Sequence, residues 1–307
     1  MHVLIPGGSG LVGQALTIDL LGDGHSVTIL SRRAGNVEVP SGAQVLYWDG
    51  VNASGWELEL ERTDAVIHLA GESIAGAGIL PQRWTDKKKD LIHSSRVSTG
   101  EILSVAIESS KQKPAVFVQA SAVGYYGPLG EQPINENQPP GTDYFSKVCL
   151  DWENSTAAVA ALGVRHAIAR LGLHLTMEGG FLPRLALPTR MFLGGRLGSG
   201  RQYYPWIHIA DTVGALRFLI ENEGMNGVFN ITAPEPATNA EFTKALAHTM
   251  RRPCWFPVPG LAFQMIFGEM ADVVLGGQRA LPEHLQSAGY VFRYPKLDEA
   301  LQDITRA

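Results

Sequence analysis

The chain has 307 residues, 45% of them hydrophobic and 18% charged, which is enough apolar material for one large core or a main domain with a smaller companion. A formal net charge of -5 and an isoelectric point near 6.0 exclude a general electrostatic attraction for nucleic acid or for an anionic membrane surface, so anion recognition has to come from a local cluster. Two cysteines, Cys149 and Cys254, exclude a disulfide framework, and the lack of any CxxC pair argues against a zinc or dithiol redox site, so no metal is expected.

The first predicted element is a short apolar strand, residues 2–5 (HVLI), and it runs directly into GGSGLVG at 7–13. A helix over 11–21 follows, stopped near Gly24. Starting at Met1, this arrangement leaves no room for a signal or transit peptide, and no apolar run approaches the roughly 18 residues that span a bilayer, so a cytoplasmic protein is expected. In GGSGLVG the spacing Gly7-x-x-Gly10-x-x-Gly13 sits between strand and helix. One glycine serves a tight turn, one the close approach of a pyrophosphate, and one the packing of helix on strand. Together with Ser9, Leu11 and Val12, these residues present the free amides of a helix N-terminus to a dinucleotide.

The second strand, 27–31, decides which dinucleotide. An NAD site places Asp or Glu near its end to accept from the ribose 2′-OH. Here Ser31 holds that place and Arg32 and Arg33 follow, suited to a 2′-phosphate, so NADP(H) is expected over NAD. Further strands are read at 44–48, 65–69, 115–120 and 166–170, with helices over 85–109 and 145–161 between them. The alternation implies an α/β fold, a Rossmann-type doubly wound parallel sheet. After Gly172 the Gly- and Pro-rich segments GGFLPR, FLGGRLGSGRQYYPW and TAPEPATN suit loops and short elements that close over the sheet. A helical run is read at 261–275, an aromatic strand at 290–294 and an amphipathic helix at 297–304. The expected division is an NADP-binding core over 1–172, completed by 206–232, with a smaller, loop-rich substrate-binding region over 173–205 and 233–307.

GGSGLVG, HLAGESI (68–74), RWTDKKKDLIHSSRVSTGEIL (83–103), ASAVGYYG (120–127), DYFSKVCLDWE (143–153), PWIHIADTVGAL (205–216) and LPEHLQSAGYVFRYPKLDEAL (281–301) extend over nearly the whole chain. In these blocks the chain resembles the extended short-chain dehydrogenase/reductase superfamily. More closely it is similar to atypical nucleoside-diphosphate-sugar epimerases of the NAD-dependent epimerase/dehydratase type, which carry a small C-terminal domain of unknown function, here about 254–301. The resemblance implies that Leu69, Ala70 and Gly71 border the cofactor and that Asp49 reaches the adenine amine.

Active relatives use a Tyr and a Lys four residues later, with a Ser after the fifth strand, to exchange a proton while hydride passes to or from the nicotinamide. Aligned on Trp152-Glu153, this chain has Phe145 and Cys149 in the Tyr and Lys positions. Tyr144 and Lys147 are nearby, but Tyr144 is one position off register and should point away from the nicotinamide unless the helix start is irregular. Ala122 takes the serine slot, with Ser121 one residue before it. Ser121, Tyr125 and Tyr126 are therefore the candidate proton-handling groups. Trp84, Arg96, Arg201 and His208 are candidates for the substrate pocket, each with a structural or surface role as the alternative.

Two functions follow. One is an NADP(H)-dependent oxidoreductase or nucleotide-sugar epimerase acting on a small polar molecule. The other is an NADPH-responsive binding or regulatory protein without hydride chemistry. A small-molecule substrate is expected, with no nucleic-acid or membrane partner. Dimerisation through the long helices, as in many relatives, is left open.

Overall fold

A computed structural model describes residues 1–32, 35, 38–76, 78 and 80–306. Its strands are β1 (His2–Pro6), β2 (Ser26–Ser31), β3 (Gln44–Tyr47), β4 (Ala65–His68), β5 (Val116–Ala122), β6 (Pro133–Ile134), β7 (Arg165–Leu171), β8 (Leu173–Leu175), β9 (Tyr203–Tyr204), β10 (Trp206–His208), β11 (Gly227–Ile231), β12 (Ala237–Thr238) and β13 (Arg279–Ala280). Its α-helices are α1 (Leu11–Gly22), α2 (Asp86–Ser109), α3 (Tyr144–Asn154), α4 (Leu182–Arg190), α5 (Ile209–Glu221), α6 (Asn239–Thr249), α7 (Gly260–Phe267), α8 (Met270–Gly276), α9 (Glu283–Ser287) and α10 (Leu297–Arg306).

Seven strands form one sheet in the order β11-β7-β5-β4-β1-β2-β3, every neighbouring pair parallel. Strands this apolar on consecutive residues must be covered on both faces. Val3, Ile5, Val27, Ile29, Ile67 and Val118 turn to one side, where Leu16 and Leu20 of α1 and Leu216 and Leu219 of α5 cover them. Leu4, Leu30, Val66 and Phe117 turn to the other, under Leu103 and Ile107 of α2 and Trp56. The family-type Rossmann fold is thus present, and β11 supplies its outer edge from beyond residue 226.

Two predicted elements differ. The run at 261–275 is two helices, because Gly268 takes φ +58 and ends α7. Residues 290–294 form no strand. The Asp211 carboxylate accepts from the amides of Arg293 and Tyr294 at 2.6 and 2.8 Å, while Tyr290 and Phe292 pack on the sheet-side core. Side-chain capture of the backbone replaces a ladder there. No described helix is long and apolar enough to cross a membrane.

Candidate functional site

The turn after β1 is built by what its glycines lack. Gly7 has φ +83, and a Cβ there would stand 2.5 Å from the Ala70 amide nitrogen; one on Gly13 would stand 2.5 Å from the Gly8 Cα. These two positions hold the turn against the 69–71 loop and α1 against the turn. Gly10 differs. It is the N-cap of α1, no side chain caps the helix, and a Cβ on it would meet only the Gly7 carbonyl, at 3.3 Å, among the described residues. The unpaired first-turn amides, including those of Leu11 and Val12, therefore face open space at the positive end of a 12-residue helix.

Around this turn the Ser9 and Ser31 hydroxyls lie 3.2 Å apart, with Ser31 buried at the end of β2. Arg32 is exposed, 3.8 Å from Glu72, whose other oxygen pairs with Lys88 at 2.8 Å. Arg33 lies outside the described residues. Asp49 Oδ1 accepts from the Val51 amide at 2.8 Å and caps its own turn. Leu69, Ala70 and Gly71 form the facing wall, and beneath Gly71 sits Arg96, whose guanidinium carbon would be 3.2 Å from a Cβ there.

Arg96 is only 8% exposed, so it is no surface charge. Its Nη1 donates to the Glu72 and Ile92 carbonyls at 3.0 Å each, and its guanidinium lies 4.9 Å from the Trp152 ring centre. Nε has no partner.

At the end of β5 the polar groups are turned inward. Ser121 Oγ donates to Glu153 Oε1 at 2.6 Å. Arg170 donates through Nε and Nη2 to the same carboxylate at 2.8 and 2.9 Å. Arg170 Nη1 donates to the Tyr126 hydroxyl, 3.0 Å away, which in turn donates to Asn230 at 2.7 Å. The Tyr125 ring lies 3.5 Å from the Arg170 guanidinium. Glu153 and Arg170 are 6% and 3% exposed. Burial holds the Tyr126 phenol up at about 12, although Arg170 opposes the shift. Ser121, Tyr125 and Tyr126 are thus members of one buried network joining β5, α3, β7 and β11.

The open volume lies beside this network. A cavity of about 580 Å³ is bounded by Trp84, Gly124, Tyr144, Phe145, Gln264 and Asp272, among others. Phe145 and Cys149 are buried, and burial raises the Cys149 thiol to about 12. Tyr144 lines the cavity beside Phe145, because the cavity covers the first turn of α3 and not one face of it. Asp143 opens that turn by accepting from the Phe145 and Ser146 amides. The Tyr144 hydroxyl donates to the Lys89 carbonyl at 2.7 Å, and its ring meets Trp84 edge-on with centroids 5.4 Å apart. Burial pushes its phenol up to about 12, with Arg96 acting in the opposite direction. Lys147 is exposed.

Residues 3–232 match the NAD dependent epimerase/dehydratase family, and residues 258–304 match a domain of unknown function, DUF1731. The chain belongs to the NAD dependent epimerase/dehydratase family. It is 38% identical over 305 residues to the epimerase family protein YfhF of Bacillus subtilis, covering 99% of this chain and 98% of that one. The structure of the human epimerase family protein SDR39U1 (isoform2) with NADPH superposes with a TM-score of 0.88 at 34% identity, over 100% of this chain and 99% of that one. A nucleoside-diphosphate sugar epimerase from Corynebacterium glutamicum superposes with a TM-score of 0.78 at 32% identity, over 99% of this chain and 58% of that one. As a member of this family the chain has an NAD(P)-binding fold.

The other pocket candidates divide. Trp84 lines the cavity, anchored by its Nε1 donating to the Ile74 carbonyl at 2.7 Å. Arg201 is exposed and pairs with Glu131 at 2.6 Å. His208 caps α5 by accepting from the Ala210 amide at 3.1 Å, and its ring packs on Tyr294 with centroids 4.0 Å apart. Sequence reading missed Glu153 and Arg170, which absorb its catalytic candidates, and Glu269 and Asp272, which line the cavity from the C-terminal region. Helix-like acidic residues downstream of a glycine carry no local signal of a distant cavity.

Proposed function

We propose that the protein binds NADP(H) and carries out hydride-linked chemistry, as an oxidoreductase or nucleotide-sugar epimerase, on a small polar substrate held in the 580 Å³ cavity. The cofactor fits the residues present: the space in front of Gly10, the uncapped α1 N-terminus, Ser31 in place of an acid and Arg32 at the lip of the crevice. Residues 7–13 would hold the pyrophosphate, and Arg32 with Arg33 the 2′-phosphate. When bound, the nicotinamide supplies the capacity to accept or donate hydride. NADPH in the human relative supports the same preference. The two free cysteines fit a reducing compartment, the cytoplasm.

The observation that carries the catalytic reading is Tyr144 in the cavity wall. Its phenol stays protonated at neutral pH, so it serves as a hydrogen-bond and proton donor to a substrate oxygen once it leaves the Lys89 carbonyl. Trp84 and Phe145 exclude water around it. The second reading, an NADPH-responsive regulatory protein, is favoured by the buried Phe145 and Cys149 in the usual Tyr and Lys positions.

The test is NADPH oxidation with a panel of carbonyl compounds, and epimer formation from nucleotide sugars with the oxidised cofactor NADP+ bound. Catalysis predicts turnover with at least one member, ~100-fold slower in Tyr144→Phe at unchanged NADPH affinity. Silence across the panel, with NADPH-dependent capture of a protein partner, supports the second reading.

A further inference from the structure

A second cavity, about 570 Å³, lies away from the first and is lined by Arg196, Lys244, His248, Arg252, Trp255 and neighbouring small residues, with no carboxylate. Of the 30 acids in the chain, the one within the lining segments 195–196 and 240–257 is Glu241, whose carboxylate accepts from the Thr238 amide and hydroxyl at 2.8 and 2.7 Å and closes the cap of α6. The two segments are joined through Gly194, whose carbonyl accepts from the Trp255 and Phe256 amides at 3.1 and 3.0 Å. Beside the cavity the apolar side chains point into solvent: Met191 is 61% exposed, Phe192 53%, Trp255 73% and Phe256 55%. A cation sits among them, Arg252 lying 4.7 Å from the Phe192 ring centre. Among the described residues the only two non-glycine residues with left-handed backbone, Phe192 (φ 64) and Arg251 (φ 54), both fall in this patch. Backbone of that kind persists where the surroundings over-determine it and is a pointer to function.

We infer that this patch is a docking surface for anionic lipid, the cationic cavity receiving the phosphate headgroup while Phe192, Trp255 and Phe256 enter the interfacial layer. Charge complementarity selects the occupant. A second copy of the chain related by a twofold axis would set arginines against arginines with no carboxylate among the lining residues to meet them. An anionic bilayer supplies the missing charge, takes up exposed aromatic and aliphatic groups, and has headgroups small enough for a cavity of this size. The surface escapes the net charge of -5 because no carboxylate lines the cavity. This site is independent of the nucleotide crevice and of any catalysis there.

The test is sedimentation of the full chain with vesicles of phosphatidylcholine, with and without phosphatidylglycerol. Binding is expected only with phosphatidylglycerol, lost at high salt, roughly 30-fold weaker in the double variant Lys244→Glu/Arg252→Glu, and lost in Phe192→Ser/Trp255→Ser. Thermal melting by circular dichroism verifies that both variants fold; if either does not, Lys244→Gln/Arg252→Gln and Trp255→Ala replace them. Equal pelleting with both vesicle types, no pelleting with either, or variants that pellet like wild type each overturn the inference. So does tight binding of soluble glycerol 3-phosphate by a chain that ignores vesicles, which would make the cavity a site for a free phosphate ester.

Discussion

The turn at 7–13 and the end of β5 lie at the same edge of one parallel sheet, yet they are built on opposite terms. In the turn side chains are missing, and the missing atoms leave backbone amides facing open space. At the end of β5 the side chains are present, and Glu153 and Arg170 consume them. A polar residue near a site is available for chemistry only if nothing closer has already taken its hydrogen bonds.

The sharpest break of that comparison comes at Glu153. Glu153→Ala strands the Arg170 guanidinium in a site where it is 3% exposed, and should remove about 3–5 kcal/mol of stability in urea denaturation. A loss under about 1 kcal/mol would mean that the network is not the keystone described. Next is the turn itself. Gly10→Val should fold normally and abolish NADPH and NADH binding, whereas Gly13→Val, forced against Gly8 backbone at 2.5 Å, should lose stability by ~1–3 kcal/mol. Retained binding in a folded Gly10→Val protein would remove the pyrophosphate assignment.

A smaller effect tests the crevice lip. Arg32→Ala/Arg33→Ala should weaken NADPH roughly tenfold or more, the scale of one charge-assisted contact, while NADH is barely changed; equal losses would sink the 2′-phosphate reading.

The last concerns pH. Burial holds His68 down at about 3 and His166 at about 4. The unfolded chain therefore binds protons first as pH falls from about 6.5, and stability drops below that point by up to about 1.4 kcal/mol per unit for each histidine. His68→Gln should flatten this slope between about pH 6.5 and 4; an unchanged slope in chemical denaturation would show that His68 is charged or exposed in the native protein.

The sheet was legible because parallel strands write themselves as apolar runs, and the glycine turn because its meaning is local: Gly7, Gly10 and Gly13 act within six residues of one another. The edges of elements were not. Gly268 cut a helix that periodicity carried through, and Asp211, eighty residues away, took the backbone of the expected strand at 290–294. The proton-handling candidates failed to reach the cavity for the same reason, since Ser121 meets Glu153 across 32 residues and Tyr126 meets Asn230 across 104. Tyr144 was displaced from the usual register by one residue, yet a broad cavity at a helix start admits neighbours that a single helical face would separate. Net charge hid the basic patch because a sum discards position.

Helix α5 comes late in the chain but packs on α1, which comes first, and the outer strand β11 comes later still. On the ribosome, the apolar face that α1 shares with α5 stays uncovered until more than two hundred residues have been synthesised, and Leu285 of the same core is later still. The nascent chain therefore carries a greasy, half-built sheet through most of its translation, and chaperones that hold unfinished Rossmann sheets should find their longest engagement on the first two hundred residues. A stop placed between β7 and β11 would release a fragment in which β7 is left as an unpaired edge.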